Sequence, residues 1–263
     1  MKAMFEAKKD DLLISVYPSN KEMGEAAAEE ASTIMYKAIN ANGQANIIIA
    51  TGNSQLTFLA ALSAREDVDW SKINIFHMDE YVGIPADHPA SFPLFLHRHI
   101  VDKVKPKNFF PIVGQSNDPL KICREYVLTL REYPADLCAL GIGENGHLAF
   151  NDPPLARFDG SEWVHVVKLA DSCKQQQVGE GHFTSIEQVP NEAISLTIPA
   201  LLAAKRVLAI VPEKRKADII AQMLTGPITQ ECPASILRKT SHAHLYLDSD
   251  SGVKIYPLGN VKE

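Results

Sequence analysis

No stretch of the 263-residue chain approaches the ~20 consecutive apolar residues that a membrane-crossing helix needs, so a helical membrane protein is not expected. The N-terminal segment MKAMFEAKKDD has no apolar signal core, and a cytoplasmic, reducing setting follows as the expectation. Basic clusters are missing too. The 26 Lys and Arg are scattered among 32 Asp and Glu, leaving a net charge of −6, which disfavours a nucleic-acid partner. A small anionic substrate stays open, because a positive pocket can exist within an acidic chain. Cysteine is scarce, and Cys123, Cys138, Cys173 and Cys232 form no CxxC pair. Cys123 and Cys138 sit in apolar patterns and read as small buried hydrophobes. Linkers, repeats and low-complexity tracts are absent as well, so a single domain over 1–263 is expected.

What is present alternates. Ser19 and Glu22 have the spacing of a capping box, opening an Ala- and Glu-rich helix that runs to about Ile39 and stops at Ala41-Asn42-Gly43. Short apolar runs at 46–50, 73–78, 136–140, 193–198, 207–211 and 243–248 read as buried strands. Helical stretches are expected at about 55–64, 91–101, 120–133 and 213–224, the last closed by Gly226-Pro227. This alternation predicts an α/β fold: one doubly wound, mainly parallel sheet with helices on both faces. Ligands of such sheets bind at the carboxyl edge. Residues 151–190 break the pattern with Pro153-Pro154, Gly160, Gly179 and Gly181, and read as an irregular excursion or lid.

Three loops following strands should share that edge. Thr51-Gly52-Asn53-Ser54 opens a helix, and a helix start offers free N–H groups to a phosphate; on spacing alone an ordinary strand–helix turn with a Ser cap is the plainer reading. Asp79-Glu80 places two carboxylates at a strand end, where burial and like charge raise a pKa toward that of a general base; a cap or a solvated loop is the plain alternative. The third loop, Gly141-Ile142-Gly143-Glu144-Asn145-Gly146-His147, contains a literal GxGxxG. Pro153-Pro154 follows too soon for the long helix of a dinucleotide site, so the sharper reading is a loop that holds His147 for proton transfer. His97 with His99, and His242 with His244, lack a third ligand at metal-binding spacing, and no metal is expected.

Taken together, ATGNSQ at Ala50, FHMDEYVGIPADHPASF at Phe76, GIGENGHLAFNDP at Gly141, and KADIIAQMLTGPI at Lys216 followed by PAS at Pro233 resemble the glucosamine-6-phosphate deaminase (isomerase) family, within the wider group that holds the 6-phosphogluconolactonases. The resemblance spans roughly residues 20–250. It implies an enzyme that couples aldose–ketose isomerisation of an amino-sugar phosphate to loss of ammonia, without a cofactor. Carried onto this chain, it implies that Asp79 moves the proton between C1 and C2 and that His147 helps open the sugar ring. Asp152 and Asn145 would tune His147. Gly52, Asn53, Ser54, Glu80, Gly146 and Lys216 would bind substrate.

The sequence departs from the family in three places. Asp152 replaces a usual glutamate, Asn145 stands where aspartate is common, and the phosphate arginine expected near Asp171–Val178 is missing, leaving Lys174 or Arg157 as substitutes. The chain also ends soon after its last expected strand, so the added C-terminal segment of allosteric members is expected to be missing. A relative acting on another sugar phosphate, a lactonase, or a sugar-phosphate-binding protein with weakened catalysis remain the alternatives. A homo-oligomer is compatible with the sequence but not specified by it.

Overall fold

A computed structural model describes residues 2–255; the C-terminal end discussed above lies outside them. A hairpin of β1 (Phe5–Lys9) and β2 (Leu12–Tyr17) leads into α1 (Asn20–Asn42). Ser19 caps that helix, its hydroxyl accepting from the Glu22 N–H and donating to the Glu22 carboxylate, and Gly43 ends it in the left-handed region at φ 77°. Next come β3 (Ala45–Ile49), α2 (Leu56–Ser63), β4 (Ile73–His77) and the short β5 (Asp79–Tyr81). Then follow α3 (Phe92–Leu96), α4 (Asp102–Val104), β6 (Asn108–Phe110), α5 (Pro119–Glu132) and β7 (Leu137–Leu140). The remainder runs β8 (Val164–Lys168), α6 (Asp171–Gly179), β9 (Glu192–Leu196), α7 (Ile198–Leu202), β10 (Arg206–Val211), α8 (Ala217–Thr225) and β11 (Ala243–Asp248). No helix among the described residues is long and apolar enough to cross a membrane.

The large sheet has the order β1-β2-β11-β10-β7-β3-β4-β6, parallel everywhere except the β1–β2 hairpin. The expected doubly wound sheet is present, and successive side chains of its strands feed opposite cores. In β3, Ile48 belongs to the core that also holds Leu130 of α5 and Ile220 of α8, while Ile47 and Ile49 belong to the core that holds Met35 of α1 and Leu59 of α2. From β3 the chain winds outward through β4 to β6, then returns to the other side of β3 with β7. The switch point therefore lies between β3 and β7, where ligands of this architecture bind.

Two expectations need correction. The run at 193–198 is not a strand of the large sheet: β9 sits in a separate antiparallel sheet of order β5-β9-β8. The strand expected at 73–78 is β4, but the loop expected after it is itself a strand: β4 ends at His77, Met78 breaks the ladder, and Asp79–Tyr81 joins the small sheet with Asp79 opposite Ser195. Inside the excursion, α6 forms and Phe183 joins an aromatic cluster with Tyr81, Phe92 and Phe150, supplying order that the sequence reading does not anticipate.

Candidate active site

The ends of β4, β3, β7 and β10 converge on one cavity. Its lining includes Gly52, Asn53, Ser54, Asp79, Gly143, His147 and Lys216, with Gln176, Gln177, Glu180 and His182 from the α6 region closing one side. All three loops singled out in the sequence thus reach the same edge.

Asp79 sits where β4 hands over to β5, and the pairing of the small sheet clamps it: the Leu196 N–H donates to the Met78 carbonyl at 2.8 Å. Burial pushes its carboxyl up to about 7. Glu80 does not join it. Alternation along β5 turns Glu80 away from the cavity, and its oxygens accept from the Tyr81 N–H at 2.8 Å, the Ser91 hydroxyl at 2.9 Å and the Phe92 N–H at 3.0 Å. Burial raises this carboxyl to about 8, with the charge of Asp79 a lesser cause. Glu80 anchors the start of α3 rather than the substrate. The like-charge effect anticipated from the adjacent carboxylates is likewise secondary to burial.

His147 is held by the geometry of its own loop. The Gly143 N–H donates to the His147 carbonyl at 3.0 Å, and the Gly146 N–H, at φ 86°, donates to the Gly143 carbonyl at 3.0 Å. A Cβ on Gly143 would lie 2.1 Å from the His147 ring, so only glycine leaves room for the imidazole. This is why a GxGxxG string occurs without a dinucleotide site. Gly146 does not line the cavity. It makes the turn and packs against Ile219 and Cys232, so it supports the loop and does not contact the substrate space.

Asn145 and Asp152 stand behind the ring. Asn145 Nδ2 donates to Asp152 Oδ1 at 2.8 Å, and Asn145 Oδ1 lies 2.8 Å from His147 Nδ1, with Asp152 Oδ1 at 3.2 Å from the same nitrogen. An ionised Asp152 only accepts, so the amide must give it the NH2 and turn its oxygen to the ring. Nδ1 then carries the hydrogen, and Nε2 is left to exchange a proton with a ligand. Burial acts to raise Asp152, but the bond and charge of His147 and the bond from Asn145 outweigh it and hold its pKa below the ordinary value. The shorter side chain of Asp152 is therefore met by Asn145, which bridges to the ring.

At the opposite end, Gly52 at φ 99° opens a 3-10 turn, Asn53–Gln55, that leads into α2. Gln55 ties this turn to β10 through the Ile210 carbonyl at 3.1 Å. Lys216 is buried, and burial, aided by Arg215, pulls its pKa down to about 8. Neither proposed arginine substitute is here. Lys174 donates to Asn191 at 2.6 Å outside the cavity lining, and Arg157 lines a separate cavity of about 620 Å³ with Asp159, Glu162 and His165. The guanidinium that does line the cavity belongs to Arg215. Sequence reasoning missed it, together with Glu180 and His182; its one signal was adjacency to Lys216. The paired histidines lie elsewhere, His97 with Asp102 and His244 between Glu30 and Ser15.

The sequence pattern of the glucosamine-6-phosphate isomerases/6-phosphogluconolactonase family matches residues 18–246. A glucosamine-6-phosphate deaminase of Exiguobacterium sibiricum is 36% identical over 203 residues, covering 77% of this chain and 78% of the relative. One of Streptococcus thermophilus is 35% identical over 213 residues, covering 81% and 89%. The solved structure of a monomeric glucosamine-6-phosphate deaminase superposes with a TM-score of 0.83 at 25% identity, over 91% of this chain and 98% of that one.

Proposed function

Because the chain belongs to the glucosamine-6-phosphate isomerase/6-phosphogluconolactonase family, we propose that it deaminates glucosamine 6-phosphate, taking up water and releasing fructose 6-phosphate and ammonia. One observation carries the assignment of roles: a buried, raised carboxyl and a positioned imidazole line the same cavity as a buried lysine and a glycine loop. The lysine and the loop take the phosphate, fixing the sugar so that C1 and C2 lie toward Asp79. Such anchoring lowers a barrier through orientation. His147 Nε2 moves the proton that opens the pyranose. Asp79, ionised, removes the proton from C2 and returns it to C1 while a proton passes from the C2 amine to O1, so that the aldehyde carbon becomes an alcohol carbon and C2 an imine. Water adds to that imine, and ammonia departs from the resulting carbinolamine.

The test is ammonia release from glucosamine 6-phosphate, from unphosphorylated glucosamine and from other amino-sugar phosphates, with hydrolysis of 6-phosphogluconolactone measured beside it. Ammonia from the phosphorylated amino sugar, with little from the free sugar, is the expected result. Lactone hydrolysis without ammonia release would overturn it.

A further inference from the structure

Arg215 lines the cavity but is engaged by three carboxylates, of which Glu180 also lines it. Arg215 Nη1 bonds Glu180 at 2.8 Å and Glu144 at 2.9 Å, and its Nε bonds Glu213 at 2.6 Å. The Lys216 N–H is bonded to the Glu213 carbonyl at 3.0 Å, but its ammonium has no hydrogen-bond partner among the described residues. A phosphate monoester carries close to two negative charges, and the single Lys216 ammonium, sharing the cavity lining with Glu180, is a poor match for it alone. Guanidinium is the best single partner for such an anion, because two parallel N–H groups meet two oxygens.

Resting on the phosphate reading above, we infer that Arg215 is the second cation of the substrate's phosphoryl group, exchanging Glu180 for the incoming anion. The carboxylates differ in how readily they let go. Glu144 and Glu213 are 47% and 37% exposed, so water replaces Arg215 around them at small cost. Glu180 is only 10% exposed, but it keeps other partners: Gln176 Nε2 donates to it at 2.9 Å, and His182 Nε2 lies 3.5 Å away. The exchange needs only side-chain torsions, since the backbone of Arg215 is fixed in the turn Lys214–Lys216 and Glu213 is pinned by its N–H to Asp248 at 3.1 Å. Glu180 is then a competitor of the substrate and tunes its affinity.

Steady-state ammonia release and competitive inhibition by inorganic phosphate, measured on the intact protein, test this. Arg215→Gln is expected to raise both KM for glucosamine 6-phosphate and Ki for phosphate by ~10-fold or more with a smaller change in kcat, the pattern of an anchor bound alike in ground and transition states. Arg215→Lys should recover part of the loss. Glu180→Gln is expected to lower both constants, because it frees the guanidinium. Unchanged constants in Arg215→Gln overturn the inference, as does a Glu180→Gln protein that loses phosphate affinity as severely as Arg215→Gln, which would mark the pair as scaffold. If the parent protein releases no ammonia, the reaction reading falls. Calorimetric titration with phosphate across the same variants still decides the role of Arg215.

Discussion

Asp79 joins function and instability in one side chain. As a base it works ionised, so kcat/KM should rise with pH through about 7, and it should fall again above about 8 as Lys216 loses its charge. A rate profile flat from pH 6 to pH 9 would contradict both assignments. The same burial has a thermodynamic sign. A carboxyl whose folded pKa lies above its unfolded value of 3.8 binds its proton more tightly when folded, so stability is lost as pH rises from there through about 7. Asp79→Asn removes that cost. It should lose at least ~100-fold in turnover yet melt higher than the parent at pH 8, with the two melting temperatures converging toward pH 4. A variant that is equally inactive but less stable would point to a structural carboxylate instead.

At the scale of elements, the loop after β7 positions its histidine by steric exclusion as much as by hydrogen bonds. Gly143 is the tightest point, so Gly143→Ala should push the His147 ring off its Asn145 and Asp152 partners. A displacement of about 1 Å at a catalytic group can cost about 100-fold in rate, and that loss in kcat is expected here with little change in KM for the phosphorylated sugar. The ring can swing into the open cavity, so the melting temperature should stay near that of the parent. Full activity in Gly143→Ala would show that the loop tolerates the added methyl group and that its glycine is incidental. The excursion is a second such element: α6 supplies one wall of the cavity, and the small β5-β9-β8 sheet fixes Asp79 on one side and, through the Ser195 hydroxyl bonded to the Phe150 N–H at 3.1 Å, the His147 loop on the other.

Over the whole molecule, chemistry and stability occupy opposite edges of the large sheet. At the end where β10 and β11 begin, Glu30 of α1 gathers Arg206 at 2.7 Å, His244 at 2.8 Å and the Tyr246 hydroxyl. Burial opposes its ionisation, but these hydrogen bonds prevail and bring its pKa down to about 2. With the folded value below the unfolded 4.5, the stabilisation is present above that pH and is lost as pH falls toward 2. Glu30→Gln breaks charge-assisted bonds in a partly buried cluster and should cost on the order of 2 kcal/mol at pH 7 by urea denaturation, a difference that shrinks in acid. Since the cluster is remote from Asp79 and His147, kcat/KM should stay within about threefold of the parent. A large loss of activity without loss of stability would mean that the two edges are coupled.

The sequence by itself determined the doubly wound sheet and the three loops, because short apolar runs ended by Gly, Asp or Asn mark buried parallel strands and the turns that follow them, and crossover handedness puts those turns on one edge. It also carried Asp79 and His147, whose residue types suit proton transfer. Only the tertiary structure decided that Glu80 faces away, since the break at Met78 resets the alternation of side chains. The small sheet was hidden because β5 pairs with β9, far along the chain, and no local pattern encodes such a pairing. α6 was hidden because DSCKQQQVG has no apolar stripe; what orders it is contact with Tyr81, Phe183 and their neighbours, not helical periodicity. The cation that joins Lys216 in the cavity lining is Arg215, not Lys174 or Arg157, because a side chain's place is set by which segments meet in space, and local sequence does not report that.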